Sequence, residues 1–400
     1  MKILYDRSKK TFFHAEKSIL TFAFGKNSFL LSSKEPTHSY QFDLQVNNES
    51  HSIPLIGIIA SKEKKNKYKG NFELFRSIQD DVERSGGLCF VFSPEDVNSD
   101  SIDGIIYNSP LKKWVKCNFP TPNVIYNRVS SHLGEQNHSY KTLLTYIQEH
   151  TIPFFNPHFF HKWEIYELLS QNSELQPYLP YTERIKDEET FNSFLKKYKK
   201  VYVKHSLASQ GKGIRLIEYD SKGEIVCKSI KKIEKYPSIS RFLQSYNEWF
   251  KDREQQWIIQ EAVNCKTIHD HRYDFRILVL HTGTNFRLIG IGVRMSQRQE
   301  VTTHVPSGGK IISLKEVINP STKKEISKIV KNCGKELAKS FGYVGEFSID
   351  LAPREEGGFV LFEINSKPMI FDEIDIETKR RQQLVQTFFA LSNHNKKVDS

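Results

Sequence analysis

The sequence predicts a mixed α/β (α+β) protein in three parts: a small β-rich segment over residues 1–50, a Rossmann-like half domain over 51–155 and a larger domain over 156–395. Two observations carry this reading. A strand–helix–strand order begins at Leu55, and Gly345–Asn365 reads as a β-hairpin with one apolar and one acidic face. A third observation, the change of pattern after Pro153 and Pro157, places the boundary between the larger parts near 151–156.

In the first part, short apolar runs (Ile19–Phe24, Phe29–Leu31, Tyr40–Val46) alternate with turn-like Gly25-Lys26-Asn27 and Glu35-Pro36, which suits small strands. Leu55–Ala60 then reads as a buried strand. A basic loop follows, then a helix with Phe72, Phe75, Ile78 and Val82 on one face, ended by Gly86-Gly87. Strands at Leu88–Phe92 and Ile102–Tyr107 complete a βαβ order that implies a parallel sheet. Without a GxGxxG loop, no dinucleotide site is supported.

Past the boundary the expected order is a helix at Lys162–Gln171, strands at Val201–Lys204 and Ile214–Tyr219, and a polar, basic helical region to about Glu254. Strands at Trp257–Val263, Tyr273–His281 and Phe286–Arg294 follow, and a helix from Pro320 to Phe341 leads into the hairpin. Successive strand residues point to opposite sides of a sheet. Phe347, Ile349 and Leu351 therefore share one side, with Val360, Phe362 and Ile364 expected on the same kind of face. The other parity carries Glu346, Asp350, Glu363 and Asn365, and oxygens so placed suit Mg²⁺ shared with substrate phosphates. A solvated outer face explains the hairpin alone equally well.

Bulk properties narrow the classes. The chain has 400 residues, 38% hydrophobic and 26% charged, with room for two or three domains. The start, MKILYDRSKK, lacks an apolar leader, and the longest near-continuous apolar run, Ile53–Ala60, is far too short to span a membrane. A cytoplasmic, soluble chain is expected. Five scattered cysteines with no CxxC indicate neither zinc nor a disulfide framework. The net charge of +11, with lysine runs at 62–69, 196–200 and 228–235, favours anionic partners. No helix-turn-helix, zinc-finger or RNP-type signature accompanies it, so nucleic acid is not the expected partner.

Pro54-Leu-Ile-Gly-Ile58, Tyr126-Asn-Arg128 and Phe160-His-Lys-Trp163, followed by Leu179-Pro-Tyr-Thr182, occur in an order that resembles the YheC/YheD-like, spore coat-associated family of the ATP-grasp superfamily. The resemblance covers Leu55 to the last helix. It implies that the Rossmann-like part is a pre-ATP-grasp domain and that 156–395 forms two subdomains clamping ATP. Lys162, opening a helix, and Lys204, ending a strand, would bind nucleotide phosphates, with Ser206, Gly211 and Gly213 in the loop that follows. Gln260, Glu261, Ala262 and Val263 would form the adenine-binding linker. Asp274 would bind the ribose, Arg276 would face the phosphates, and Arg294 would hold the transferred phosphoryl group. Asp350, Glu363 and Asn365 would be the Mg²⁺ ligands, with Mn²⁺ as an alternative ion. Glu346 gains no role and is expected to be a solvated carboxylate.

Two departures stand out. His304 replaces a family asparagine in the loop Thr302–Gly309, and Ser348 stands where some amino-acid ligases of this fold carry an arginine. The resemblance implies an ATP- and Mg²⁺-dependent ligase joining a carboxylate to an amine or related nucleophile, acting on an acidic peptide or an envelope polymer. The alternative is a nucleotide-binding coat-associated protein without turnover, in contact with spore coat proteins.

Overall fold

The computed structural model describes the chain apart from residues 17–20, 33–38, 47–50, 64–66, 209–212, 252–255, 298–300, 304–307 and 395–400. The Glu35-Pro36 turn, Gly211, His304 and part of the 62–69 lysine run lie outside the described residues. No described helix is long and apolar enough to cross a membrane.

The opening segment is a six-stranded sheet with its own aromatic lining. Phe12 contacts Phe24 and Phe42 within the segment, and Phe119 of the next part at a ring separation of 5.2 Å. The first two parts thus share one core.

The Rossmann-like sheet runs in the order Lys113–Phe119, Ile102–Asn108, Leu88–Phe92, Leu55–Ile59, Val124–Asn127, Phe154–Phe155. Its last four members are parallel, but the strands at Ile102–Asn108 and Lys113–Phe119 pair antiparallel, so the sheet is mixed where a parallel one was expected. These two strands follow each other directly as a hairpin, which needs no helical crossover. The helix Phe72–Arg84 starts where the Asn71 side chain accepts from the Leu74 N–H, and it buries Leu74, Phe75, Ile78 and Val82. It stops at Gly86, whose φ of +89° is a left-handed conformation.

Two further sheets follow. The smaller is antiparallel, in the order Thr182–Arg184, Trp257–Glu261, Lys200–His205, Arg215–Tyr219, Ile225–Lys228, Ile233–Tyr236. Its last two strands occupy the stretch expected to be helical, and helix appears only at Ile239–Ser245 and Glu248–Lys251. The alternation Ile225 and Cys227 buried, Val226 and Lys228 half-buried, is a strand period that the lysines of this run disguised.

The larger sheet orders Lys310–Ile312, Phe286–Met295, His271–His281, Glu346–Pro353 and Phe359–Asn365, all antiparallel. The helices Lys162–Ser170 and Pro320–Phe341 cover one face through a core that includes Ile277, Ile349, Leu351, Ile329 and Leu337. The last helix, Ile374–His394, packs on the strands His271–His281 and Phe286–Met295 and also on the helix Phe72–Arg84. Leu384, Val385 and Phe388 join the core formed by Ile56, Ile58, Ile78 and Val82.

Candidate functional site

Both sheets and the Rossmann-like domain face a common cleft of about 950 Å³. The larger sheet supplies Asp274, Arg276, Arg294, Asp350, Glu363 and Asn365, the smaller sheet Tyr202 and Lys204, and the helix start Lys162. The Rossmann-like domain adds Arg128, Ser130 and His132.

Register explains the convergence. Asp274 lies opposite Arg294, Arg276 opposite Asp350, and Asp350 opposite Glu363, so one face carries a row of charges across four strands. Arg294 donates to both oxygens of Asp274, Nε to Oδ1 at 2.8 Å and Nη2 to Oδ2 at 2.9 Å, and its Nη2 stands 3.1 Å from Asp350 Oδ2. Thr303 also donates to Asp274. Burial works against the Arg294 charge, but Asp274 and Asp350 outweigh it and push the guanidinium pKa up.

Lys162 Nζ donates to the Ala208 carbonyl at 2.5 Å and pairs with Glu363 Oε1 at 2.9 Å. Lys204 Nζ is buried and donates to Gln260 Oε1 at 2.5 Å. Burial pulls this ammonium down to about 8; Lys162 adds to the effect, while Glu363 and Asp350 oppose it. The Gln260 side chain thereby holds Lys204, the lysine expected to bind phosphate. The Ser206 hydroxyl accepts from the Trp163 N–H at 3.2 Å, and its carbonyl accepts from the Lys162 N–H. Gly213 has a φ of +77°. Glu261 Oε1 accepts from the Tyr181 N–H. Ala262 packs with Tyr202, Leu216 and Val301, and Val263 with Cys265 and Ala352, so both back the cleft wall.

The hairpin departs from its expected parity. A register shift follows Asp350, which opposes Glu363, while Leu351 opposes Leu361; Phe362 is the extra residue. Beyond the bulge the faces exchange. Phe359 and Leu361 enter the large core with Ile364, whereas Val360 and Phe362 lie on the cleft side with Ala352. Phe362 and Glu363 consequently both line the cleft, and Lys204 Nζ lies 6.0 Å from the Phe362 ring. The strand Glu346–Pro353 is buried throughout, which removes the reading of a solvated outer face.

Glu346 is corrected as well: it is fully buried. Its Oε1 accepts from Tyr126, from Arg128 Nη1 at 3.0 Å and from Arg380 Nη2 at 3.0 Å, and its Oε2 accepts from Arg380 Nε at 2.9 Å. Burial alone would raise this carboxyl; the two arginines overcome it and hold the pKa below the ordinary value. The network ties the strand Val124–Asn127 and the last helix to the back of the hairpin.

Sequence reasoning gave no role to Lys367, His132 or Arg272. Lys367 pairs with Glu135, lies over the Phe159 ring at 4.0 Å and is pulled down to about 8 by burial, with Glu135 opposing. Burial, with His161 and Lys162 adding to it, holds His132 at about 4, a neutral imidazole at the cleft. Arg272 Nη1 donates to the Tyr202 hydroxyl at 2.6 Å and links the two sheets. The one available signal was position: Lys367 stands two residues after Asn365, the last polar residue of the hairpin's cleft face.

Two antiparallel sheets closing on a cleft of lysines, arginines and hairpin oxygens define the ATP-grasp class. Solved structures share this fold: the D-alanine-D-alanine ligase from Coxiella burnetii at a TM-score of 0.51 and 10% identity, covering 87% of this chain and 96% of that one, and the VanG D-Ala:D-Ser ligase from Enterococcus faecalis at 0.50 and 11%, covering 85% and 99%. Within that class the chain belongs to the YheC/D-like ATP-grasp family, which matches residues 151–394. It is 28% identical over 376 residues to the endospore coat-associated protein YheD of Bacillus subtilis, covering 86% of this chain and 81% of that protein. Its identity to YheC of the same organism is 22% over 313 residues, covering 74% and 85%.

Proposed function

We propose that this chain is an ATP- and Mg²⁺-dependent ligase that joins a carboxylate to an amine through an acylphosphate. The observation that carries the reading is the placement of Asp350, Glu363 and Asn365 on one cleft with Lys162, Lys204, Arg276 and Arg294. Phosphoryl transfer is catalysed mainly by positioning and charge neutralisation, and this site offers both without a nucleophilic triad.

The oxygen set fits a divalent cation that shares its coordination with phosphates. No group of three or more His, Cys, Asp or Glu forms a metal cage among the described residues. Two carboxylates and an amide would instead hold Mg²⁺ or Mn²⁺ jointly with the nucleotide. The bound ion would neutralise phosphate charge. Lys162 and Lys204 would bind phosphate oxygens, and Arg276 and Arg294 would hold the transferred group. Asp274 would reach the ribose only when its pair with Arg294 opens. A substrate carboxylate oxygen takes the γ-phosphoryl group and ADP departs. Attack of the amine on the acyl carbon then releases phosphate and a proton.

The basic balance of the chain, +11, supports an acidic peptide or envelope polymer as substrate, and the coat association of YheD and YheC supports action in the cell before or during coat assembly. A second reading, nucleotide binding without turnover in a coat-associated protein, draws on the closed pairing of Arg294 with Asp274 and Asp350.

The test is calorimetric titration with a non-hydrolysable ATP analogue, with and without Mg²⁺, for the wild type and Glu363→Ala. Magnesium-sensitive binding that weakens in the variant is expected; absence of binding would discard both readings. Turnover separates them, since Glu363→Ala or Arg294→Ala should then lose on the order of 10²-fold in ADP release.

A further inference from the structure

Beside the nucleotide-facing half of the cleft lies a second charged position that the proposed reaction leaves unused. Glu373 immediately precedes the last helix, yet its carboxylate lies on the floor of the large sheet rather than in solvent. The reason is Gly292. A methyl group there would stand 2.6 Å from Glu373 Oε1 and 3.0 Å from Oε2, so only glycine lets the carboxylate sit on the strand.

Gly292 is the register partner of Arg276, whose other neighbour across the sheet is Asp350. Glu373 is therefore one strand from Arg276 and two from the hairpin oxygens. Glu373 and Arg276 are not ion-paired with each other or with any other side chain among the described residues. Arg276 Nε is buried without a hydrogen-bond partner among them, and the guanidinium lies 5.5 Å from the Phe371 ring. A half-buried carboxylate with no cation of its own is costly to keep desolvated. In agreement, burial raises the Glu373 pKa; its own backbone N–H and Arg276 oppose the rise, and Asp372 and Asp375 add to it.

We infer that Glu373, seated on Gly292 beside Arg276, is the binding residue for the ammonium group of the acceptor, so the nucleophile is a primary amine and not a thiol or a hydroxyl. This rests on the ligase reading and gives its amine a binding residue. The walls fit a partly apolar amine, because Phe371 lines this end of the cleft and the adjacent Met369 and Ile370 also face it.

The experiment uses the full chain, saturated with Mg²⁺ and a non-hydrolysable ATP analogue, in thermal melts against free amino acids and dipeptides and their N-acetylated counterparts. At least one free-amine compound should add a shift to that of the nucleotide, and its N-acetylated form should add none. In Glu373→Gln the free amine should need about tenfold or more higher concentration for the same shift, the scale of one charge-assisted hydrogen bond, while the nucleotide shift persists. Gly292→Ala, which displaces the carboxylate without removing it, should reproduce that loss. Equal response to free and acetylated compounds, undiminished amine response in Glu373→Gln, or no response to any amine while the nucleotide still binds would each overturn the inference. Failure of the nucleotide shift itself would overturn the proposed function instead.

Discussion

Glu346→Gln tests whether the buried cluster behind the hairpin holds the domains together. Glu346 and Arg380 are both fully enclosed, and Arg128 is nearly so. The amide keeps one acceptor oxygen but turns an N–H toward a guanidinium donor that now meets a carboxylate oxygen, and it removes the buried negative charge, leaving Glu377 as the carboxylate paired with Arg380. Breaking one side of a buried ion pair costs about 3–5 kcal/mol. For one cooperative unit of this length, that loss would lower Tm by roughly 5 °C. The assay is equilibrium urea unfolding followed by tryptophan fluorescence, with calorimetry to follow Tm. The pH dependence supplies a second reading. The Glu346 pKa is held below its ordinary 4.5, so the stabilisation is present above 4.5 and is lost as pH falls through the folded value. Glu346→Gln should flatten that acid limb. A loss below about 1 kcal/mol, or an unchanged acid limb, would show that Arg380 finds adequate partners without this carboxylate and would refute the reasoning.

Three further outcomes are expected. Gly345→Ala would place a methyl 2.1 Å from Phe155 Cζ, so it should lower stability by about 3 kcal/mol through overpacking and reduce soluble yield, read by urea unfolding. Lys204 is charged only below about 8, so nucleotide affinity should be flat below that pH and fall above it, by up to about tenfold per pH unit. Apo stability should move the other way, rising between about 8 and the ordinary lysine value of 10.5, and Lys204→Arg should flatten the affinity profile in calorimetric titration. All five cysteines are buried, and burial pushes each thiol pKa up. A thiol reagent should therefore react rapidly only after denaturation, a result that prompt native labelling would contradict.

The sequence made the long, strongly periodic elements legible. The helix Pro320–Phe341 matches the expected bounds, because Asn319 caps it and the apolar stripe at Ile326, Ile329, Val330, Cys333 and Leu337 is regular. Asp350, Glu363 and Asn365 line one cleft, as strand parity predicts, because no bulge separates Glu363 from Asn365. Parity failed at Phe362, where one inserted residue reverses every position back to the turn, and nothing local in Phe359–Asn365 marks it. Glu346 was misread because its counter-charges, Arg128 and Arg380, come from two other elements, 218 and 34 residues away. Glu373 escaped notice for a similar reason: its seat is a glycine on another strand.

The docking of the last helix has a consequence for how the protein is made. Val82 and Val385 share a core, and Arg381 Nε pairs with Asp81 Oδ2 at 2.9 Å. During synthesis the face of the helix Phe72–Arg84 must therefore wait for some 300 residues, roughly 15–60 s at 5–20 residues per second, before its apolar cover arrives. The Rossmann-like domain leaves the ribosome before the larger domain is made, yet one face of it is covered last. Its uncovered side chains would be exposed to chaperones in that interval, and a ribosome stalled between Val82 and Val385 would carry a nascent chain whose Rossmann-like domain still has one apolar face open.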